Sequence, residues 1–103
     1  MYKINYSTKA KNSLREIVLY IVNESASLEI ANNVVSKIKQ RINNRLDTYP
    51  FSGQVETIIN GVEYRKIVVG RYIIIYKILE DDDIVLITNI IHETINRIDL
   101  VQR

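Results

Sequence analysis

Cysteine is absent from the sequence, which excludes disulfide bonds, thiolate metal sites and thiol nucleophiles. A reducing cytosol is compatible with this absence. The first residues, Met1 to Ser7, alternate polar and apolar side chains instead of forming the apolar centre of a signal peptide. Nowhere does the chain hold the run of about 18 uncharged apolar residues that a membrane helix requires. The sequence therefore predicts neither secretion nor a membrane span.

Common catalytic and cofactor motifs are also missing. The chain has no glycine-rich phosphate loop, no His, Asp and Glu spacing typical of a metal site, and no Ser-His-Asp order. These absences argue against hydrolases of those kinds and against nucleotide-binding enzymes. We expect neither a cofactor nor a metal ion.

The composition is that of one ordinary folded domain. Of the 103 residues, 47% are hydrophobic and 25% are charged, a composition that suits one continuous core. A chain of this length is too short for a second domain. We therefore expect a single domain over residues 1–103. The formal net charge is only +2, so the total does not predict nucleic-acid binding, and the distribution of the charges has to decide.

The first half of the chain predicts a short strand followed by a helical hairpin. Polar and apolar residues alternate from Tyr2 to Tyr6, as in a strand with one covered face. Ser7 can cap the helix that follows, which runs to about Glu24. Ser27 is a second cap, and behind it apolar residues recur at every fourth position: Ile30, Val34, Ile38, Ile42 and Leu46. Because the linker is short, the two helices should be antiparallel neighbours.

The second half of the chain is rich in β-branched and aromatic residues, which predicts strands. Tyr64–Val69 and Ile84–Ile91 are two of these strands. Asn60-Gly61 marks a hairpin turn, with an optional extra strand, Val55–Ile59, before it. Arg71–Leu79 is apolar at both odd and even positions, which predicts a central strand covered on two faces.

The element order is β-α-α-β-β-β. It predicts an α+β fold in which a two-helix hairpin packs on a mainly antiparallel sheet. Gly70 allows the reversal before the central strand, and an acidic turn, Glu80–Asp83, ends that strand. Ile95, Ile98 and Val101 indicate a short closing helix at the C-terminus.

The segment Tyr64–Tyr76 resembles the signature hairpin of ParE-type toxins, in which a basic strand leads through a glycine to a tyrosine-rich strand. Its continuation Ile84–Ile91, followed by His92, is similar too. The upstream half fits at further positions: Ala10, Ala31, Leu46, Pro50 and Gly53. Taken together, nearly the whole chain resembles the ParE branch of the RelE/ParE toxin superfamily, which includes plasmid stabilisation proteins.

The resemblance implies a cytoplasmic toxin of a type II toxin–antitoxin system. It also implies a cognate antitoxin, whose largely disordered segment folds onto the toxin and neutralises it. Promoter DNA would be bound by the complex, through the antitoxin. The targets differ within the superfamily: RelE-like members cut ribosome-bound mRNA, and ParE-like members act on DNA gyrase.

Candidates for catalysis occur around the last strands. Metal-free RNA cleavage needs groups that activate a 2′-hydroxyl, stabilise charge on the phosphate and protonate the leaving oxygen. The candidate residues are Arg65, Lys66, Arg71, His92 and Glu93. Strand alternation puts Arg65 and Lys66 on opposite faces, so at most one of them joins Arg71 in one site. Alternatively, these cations are solvated charges on an exposed strand and its turn, and His92 is structural.

Two positions depart from the pattern of the mRNA-cleaving relatives. Ile73 stands where those relatives tend to carry an arginine after the glycine turn, and His92 has no arginine or tyrosine beside it. Losing cations from a phosphate-cleaving site weakens the stabilisation of the transition state. Whether the chain is an enzyme is therefore left open; if it is one, it is a metal-independent endoribonuclease.

A basic helix edge and two tyrosines are candidates for partner binding. Lys37, Arg41 and Arg45 recur at intervals of four residues on the second helix, with no carboxylate between them. They could meet an acidic antitoxin or nucleic-acid phosphates, or form a solvated face whose aliphatic stems shield the core. Tyr72 and Tyr76 are either antitoxin contacts or core residues.

Three functions follow from these alternatives. The first is a toxin that binds a protein target, with DNA gyrase as the family's precedent, and is held inactive by an antitoxin. The second is a RelE-like mRNA interferase that acts on the ribosome. The third is a non-toxic relative that serves as a regulatory partner of a DNA-binding antitoxin. The missing cations favour the first function over the second, and expression without antitoxin separates the third from both.

Overall fold

Two helices lie on one face of a five-stranded sheet in the computed structural model, which describes residues 1–93. In chain order the elements are β1 (Lys3–Tyr6), α1 (Thr8–Ser25), α2 (Leu28–Leu46), β2 (Gln54–Ile59), β3 (Val62–Val69), β4 (Tyr72–Leu79) and β5 (Ile84–His92). Short 3-10 turns follow α2 at Pro50–Ser52 and β4 at Glu80–Asp82. The closing helix predicted around Ile95, Ile98 and Val101 lies outside the described residues.

The sheet has the strand order β1-β5-β4-β3-β2. β1 runs parallel to β5, and the other neighbouring strands are antiparallel. The optional strand before Asn60 is present as β2 at one edge of the sheet. The predicted α+β fold, a two-helix hairpin packed on a mainly antiparallel sheet, is confirmed.

Side-chain caps at the predicted serines fix both helix starts. The Ser7 hydroxyl accepts a hydrogen bond from the Ala10 amide at 3.0 Å, and the Ser27 hydroxyl accepts one from the Ile30 amide at 3.2 Å. Between the helices Ala26 adopts a left-handed conformation with φ 55°, so α2 folds back along α1. Neither helix in the described part of the chain has the length and apolar character needed to cross a membrane.

The core lies between the helices and the face of the sheet beneath them, which we call the helix-covered face. Alternate strand positions point into it, because successive side chains of a strand point to opposite faces. The core residues are Ala10, Leu14 and Ile17 of α1, Ile38, Ile42 and Leu46 of α2, and Ile67, Val69, Ile74, Tyr76, Val85, Ile87 and Ile90 of the sheet.

The opposite face of the sheet, which we call the open face, is apolar as well. Ile73 and Ile75 are only half-buried there, and Val68 is 58% exposed. β4 is a central strand, as predicted. The second cover predicted for it is not provided by any helix or strand within residues 1–93.

Candidate functional site

Arg65 on β3 braces the loop that follows α2. Its guanidinium donates hydrogen bonds to the carbonyl oxygens of Gly53 at 2.8 Å and Phe51 at 3.3 Å, and lies 5.1 Å from the centre of the Phe51 ring. It also pairs with the Glu63 carboxylate at 3.2 Å, and 16% of its side chain is exposed. Its donors are thus shared among three acceptors. Arg65 therefore ties β3 to the loop after α2.

Lys66, the next residue, points to the open face. Its register partner is Ile75, whereas the partner of Arg65 is the core residue Tyr76. The Lys66 ammonium lies 3.0 Å from the Glu56 carboxylate of β2. The structure thus places Arg65 and Lys66 on opposite faces, as strand alternation predicts, and they cannot act on one phosphate.

Arg71, Tyr72, His92 and Glu93 lie together where β4 begins and β5 ends. His92 is 9% exposed, and its ring centre lies 4.9 Å from that of Tyr72 and 5.7 Å from that of Tyr20. The Glu93 amide donates a hydrogen bond to the Arg71 carbonyl oxygen at 3.1 Å. Burial lowers the pKa of His92 below its ordinary 6.5, the charge of Arg71 lowers it further, and Glu93 opposes both effects. The imidazole is therefore mainly neutral at neutral pH.

The five candidate catalytic residues do not form one cluster. Arg65 lies beside the loop after α2, Lys66 lies on the open face, and the other three lie at one end of β4. Cleavage of RNA needs several groups around one phosphate. Only the location shared by Arg71, His92 and Glu93 brings candidates together. Within residues 1–93 no three side chains of the His, Asp and Glu types are placed to hold a metal ion.

Two of the three predicted cations on α2 line a groove, which we call the basic groove. Lys37 and Arg41 flank this depression of about 160 Å³ between α2 and the β3–β4 turn. Its other lining residues are Val34, Ile38, Val69, Gly70 and Tyr72. Gly70 adopts φ 60°, a left-handed conformation that favours glycine, and thereby makes the turn beside the groove. In the described part of the chain, no acidic residue lines the groove.

Arg45, the third cation of the row, lies elsewhere. Its guanidinium donates a hydrogen bond to the Ser52 hydroxyl at 3.3 Å, near the C-terminal end of α2. It therefore belongs, with Arg65, to the surroundings of the loop after α2. The predicted basic row divides into a pair at the basic groove and one contact that ties α2 to its loop.

Tyr76 is buried and anchors the same loop. Its side chain is 0% exposed, and its hydroxyl donates a hydrogen bond to the Pro50 carbonyl at 2.7 Å and accepts one from the Gly53 amide at 3.0 Å. A β-carbon at Gly53 would collide with this hydroxyl and lie 2.7 Å from the Lys66 carbonyl oxygen, so this position requires glycine. Tyr76 is a core residue, which corrects its place among the partner contacts, because a fully buried side chain cannot reach a partner. Tyr72 stays a candidate, since it lines the basic groove.

A larger groove on the open face was not predicted from the sequence. It has a volume of about 560 Å³. Its walls include Thr57, Ile59, Tyr64, Ile75, Asn89 and Ile91. The apolar residues on both faces of β4 were the available signal, but that pattern predicts a covered strand equally well.

Most of the chain matches one known protein family. Residues 4–97 match the family model of the ParE toxin of the type II toxin–antitoxin system parDE. The chain belongs to the ParE toxin family. It is also similar to a solved structure described as the chromosomal ParDE TA system from P. aeruginosa, with a TM-score of 0.67 and 15% sequence identity over 89% of this chain and 96% of that chain. No curated protein sequence matches the chain.

Membership of the ParE family confirms the resemblance that the hairpin Tyr64–Tyr76 and the helical hairpin indicate. At 15% identity the P. aeruginosa structure shows a shared fold and carries no residue roles to this chain. The roles of the basic groove and the open face therefore depend on their own geometry.

Proposed function

We propose that this ParE-family chain is the toxin of a type II toxin–antitoxin pair and that it inhibits growth by binding DNA gyrase. Its cognate antitoxin neutralises it in the cytoplasm, and the pair reaches promoter DNA through the antitoxin. The toxin then acts by occupying a surface of its target. It does not catalyse the formation or cleavage of a covalent bond.

The dispersion of the candidate catalytic residues carries this proposal. Stabilising the charge that develops on a cleaved phosphate requires cations directed at one point. Arg65 is held by carbonyls and a carboxylate on one side of the sheet, and Lys66 is paired with Glu56 on the other. Ile73 replaces the arginine that mRNA-cleaving relatives tend to have, and it pairs with Ile91 in the sheet. Two of the candidate cations are thus engaged elsewhere and a third position carries no cation, which leaves Arg71 as the one exposed candidate cation among the described residues.

The open face offers a surface suited to protein binding. Val68 is 58% and Ile59 is 53% exposed, and Tyr64, Ile75 and Ile91 line the adjoining groove. Contiguous exposed apolar surface is typical of sites that bind other proteins. Burying these side chains against a partner removes apolar surface from water, which favours association.

The location shared by Arg71, His92 and Glu93 favours a second candidate, metal-independent RNA cleavage. A cation, an imidazole and a carboxylate are groups that acid–base cleavage uses. However, burial and the charge of Arg71 lower the pKa of His92. A neutral imidazole can accept a proton but donates one poorly to a leaving oxygen, so binding is the better supported function.

The test is inducible expression without antitoxin, followed by two direct assays. We expect growth arrest, loss of supercoiling by purified gyrase when the purified chain is added, and intact cellular mRNA. Codon-phased mRNA cleavage with normal supercoiling would identify the RNA-cleaving function instead. Normal growth would contradict both toxic functions and favour the third alternative, a non-toxic relative.

One variant separates the two activities. His92→Phe keeps a ring against Tyr72 but removes the nitrogen atoms that acid–base chemistry requires. A toxin that only binds gyrase should keep its inhibition of supercoiling in this variant. An RNA-cleaving toxin that uses His92 should lose its activity.

A further inference from the structure

The basic groove combines charge with an apolar interior, and it lies outside the open face to which we assign gyrase binding. Lys37 and Arg41 are exposed and lie one helical turn apart on α2. Between α2 and the turn, the side chains of Val34, Val69 and Tyr72 line the interior. The groove thus has cations at its rim and apolar side chains in its interior. A purely ionic ligand would not satisfy the apolar interior, and a purely apolar ligand would not pair with the cations.

We propose that the basic groove docks an acidic segment of the antitoxin. One large apolar side chain of that segment enters the groove, and carboxylates on either side of it pair with Lys37 and Arg41. This inference rests on the proposed toxin function. The groove volume of about 160 Å³ is close to that of an engineered cavity of about 150 Å³ that takes up benzene, so it admits one such side chain.

The positive charge at the basic groove favours an acidic segment as its ligand. Among residues 1–93, neither Lys37 nor Arg41 takes part in an ion pair, and no carboxylate lines the groove. Arg71 does not line the groove but follows its lining residue Gly70 and adds positive charge, whereas Glu93, bound through its amide to the Arg71 carbonyl, places one carboxylate at this end of β4. The acidic turn Glu80–Asp83 lies at the other end of β4. The field at the groove therefore attracts carboxylates and aligns them during association.

The apolar interior favours a peptide over a nucleic acid. Single-stranded nucleic acids bind largely by stacking their bases on exposed aromatic or guanidinium planes. The groove offers Val34, Ile38 and Val69 instead, and the ring of Tyr72 packs edge-on against His92 at 4.9 Å. A base placed there would leave its polar edges against aliphatic groups without hydrogen bonds, which is unfavourable. An aliphatic or aromatic side chain of a peptide fits the same walls.

The experiment compares two double variants, each of which replaces one lysine and one arginine by glutamate. The double variant Lys37→Glu with Arg41→Glu alters the basic groove. The control, Lys11→Glu with Arg15→Glu, alters an exposed lysine and arginine at the same spacing on α1. For each variant we would measure growth arrest without antitoxin and the affinity of the purified chain for the purified antitoxin.

We expect the groove variant to stay toxic and to bind the antitoxin at least about tenfold more weakly, because two charge pairs become repulsive. The control should match the wild type in both measurements. The difference in affinity should shrink as salt is added, because salt screens exposed charges. An antitoxin that no longer neutralises the groove variant in cells would support the proposal from a second direction.

Equal antitoxin affinity in the two double variants would overturn the proposal. Loss of toxicity with unchanged antitoxin affinity would also overturn it, because the groove would then serve the target of the toxin. Binding of a single-stranded RNA oligonucleotide that only the groove variant loses, with antitoxin affinity unchanged, would assign the groove to a nucleic acid. A non-toxic wild-type chain would end the proposed function alone, since the comparison of affinities would still decide the role of the groove.

Discussion

The helix-covered face and the open face are built from the same kinds of residue but have different surroundings. On β4, Ile74 is 0% exposed beneath the helices, whereas its neighbour Ile75 is half-buried on the open face. Both are isoleucines in one strand, so hydrophobicity does not decide which of them enters the core. The apolar stripes of α1 and α2 decide it, because they cover one face only. Apolar side chains on a strand face are stabilised when they are shielded from water. A bound protein can shield them as well as a helix of the same chain can.

The largest difference between the faces should appear when these two neighbours are shortened. Ile74→Ala leaves a cavity in a closed core and should lower the free energy of unfolding by about 2–5 kcal/mol. Ile75→Ala removes the same atoms from the open face and should cost less than half as much. Chemical denaturation of both variants measures this. Equal losses would mean that the open face is covered in the folded chain.

A smaller difference is expected from removing one hydroxyl on each face. Tyr76→Phe leaves the Pro50 carbonyl and the Gly53 amide without their buried partner and should cost about 1–3 kcal/mol. Tyr64→Phe on the open face keeps the ring and should change stability by less than about 0.5 kcal/mol. Urea unfolding curves of the two variants provide the comparison. If Tyr76→Phe cost no more than Tyr64→Phe, water would be replacing the hydroxyl in the loop.

A charge on the open face should affect function while leaving stability nearly unchanged. Val68 is 58% exposed there, and Leu19 on α1 is 64% exposed, so Val68→Glu and Leu19→Glu should each change stability by no more than about 0.5 kcal/mol. We expect Val68→Glu to weaken inhibition of gyrase at least about tenfold, equivalent to about 1.4 kcal/mol. Leu19→Glu should leave it unchanged. Equal inhibition by the two variants would place the binding surface elsewhere.

The smallest effect concerns the protonation of His92, where the covered face ends. Its pKa is lowered by burial and by Arg71 from the ordinary 6.5, so the unfolded chain takes up this proton before the folded chain does. The contribution of His92 to stability is therefore complete above about pH 6.5 and decreases as the pH falls below that value toward the folded pKa.

The chain has a single histidine, so NMR titration reports this group directly. We expect a midpoint below 6.5, and Arg71→Ala should move the midpoint upward because it removes one of the causes of the shift. A midpoint at or above 6.5 would show that the imidazole is more hydrated than its position indicates.

Features controlled by neighbouring residues could be predicted from the sequence. The caps at Ser7 and Ser27 act over three residues. The two turns depend on residues that adopt left-handed backbone conformations, and Asn60, Gly61 and Gly70 do so in the structure. The family resemblance rested on the order and spacing of these elements, and the match over residues 4–97 confirms it.

The roles of several side chains could not be predicted, because their partners are remote in the chain. The carbonyls bound by Arg65 lie 12 and 14 residues away, and the Pro50 carbonyl is 26 residues from Tyr76. A sequence shows that Arg65 is a cation on a strand but not which carbonyls a loop will present to it. The spacing of Lys37 and Arg41 was likewise visible, whereas the opposite wall of their groove exists only after β3 and β4 pack against α2.

Gly53 is held from two neighbouring strands, since Arg65 of β3 binds its carbonyl and Tyr76 of β4 binds its amide. The loop after α2 is thereby fastened to β3 and β4, and it cannot move away from the sheet without breaking a buried hydrogen bond. Deuterium should reach the Gly53 amide only through openings of the core itself. A partner that contacts this loop therefore meets a preorganised segment, and little conformational entropy of the loop is lost when it binds.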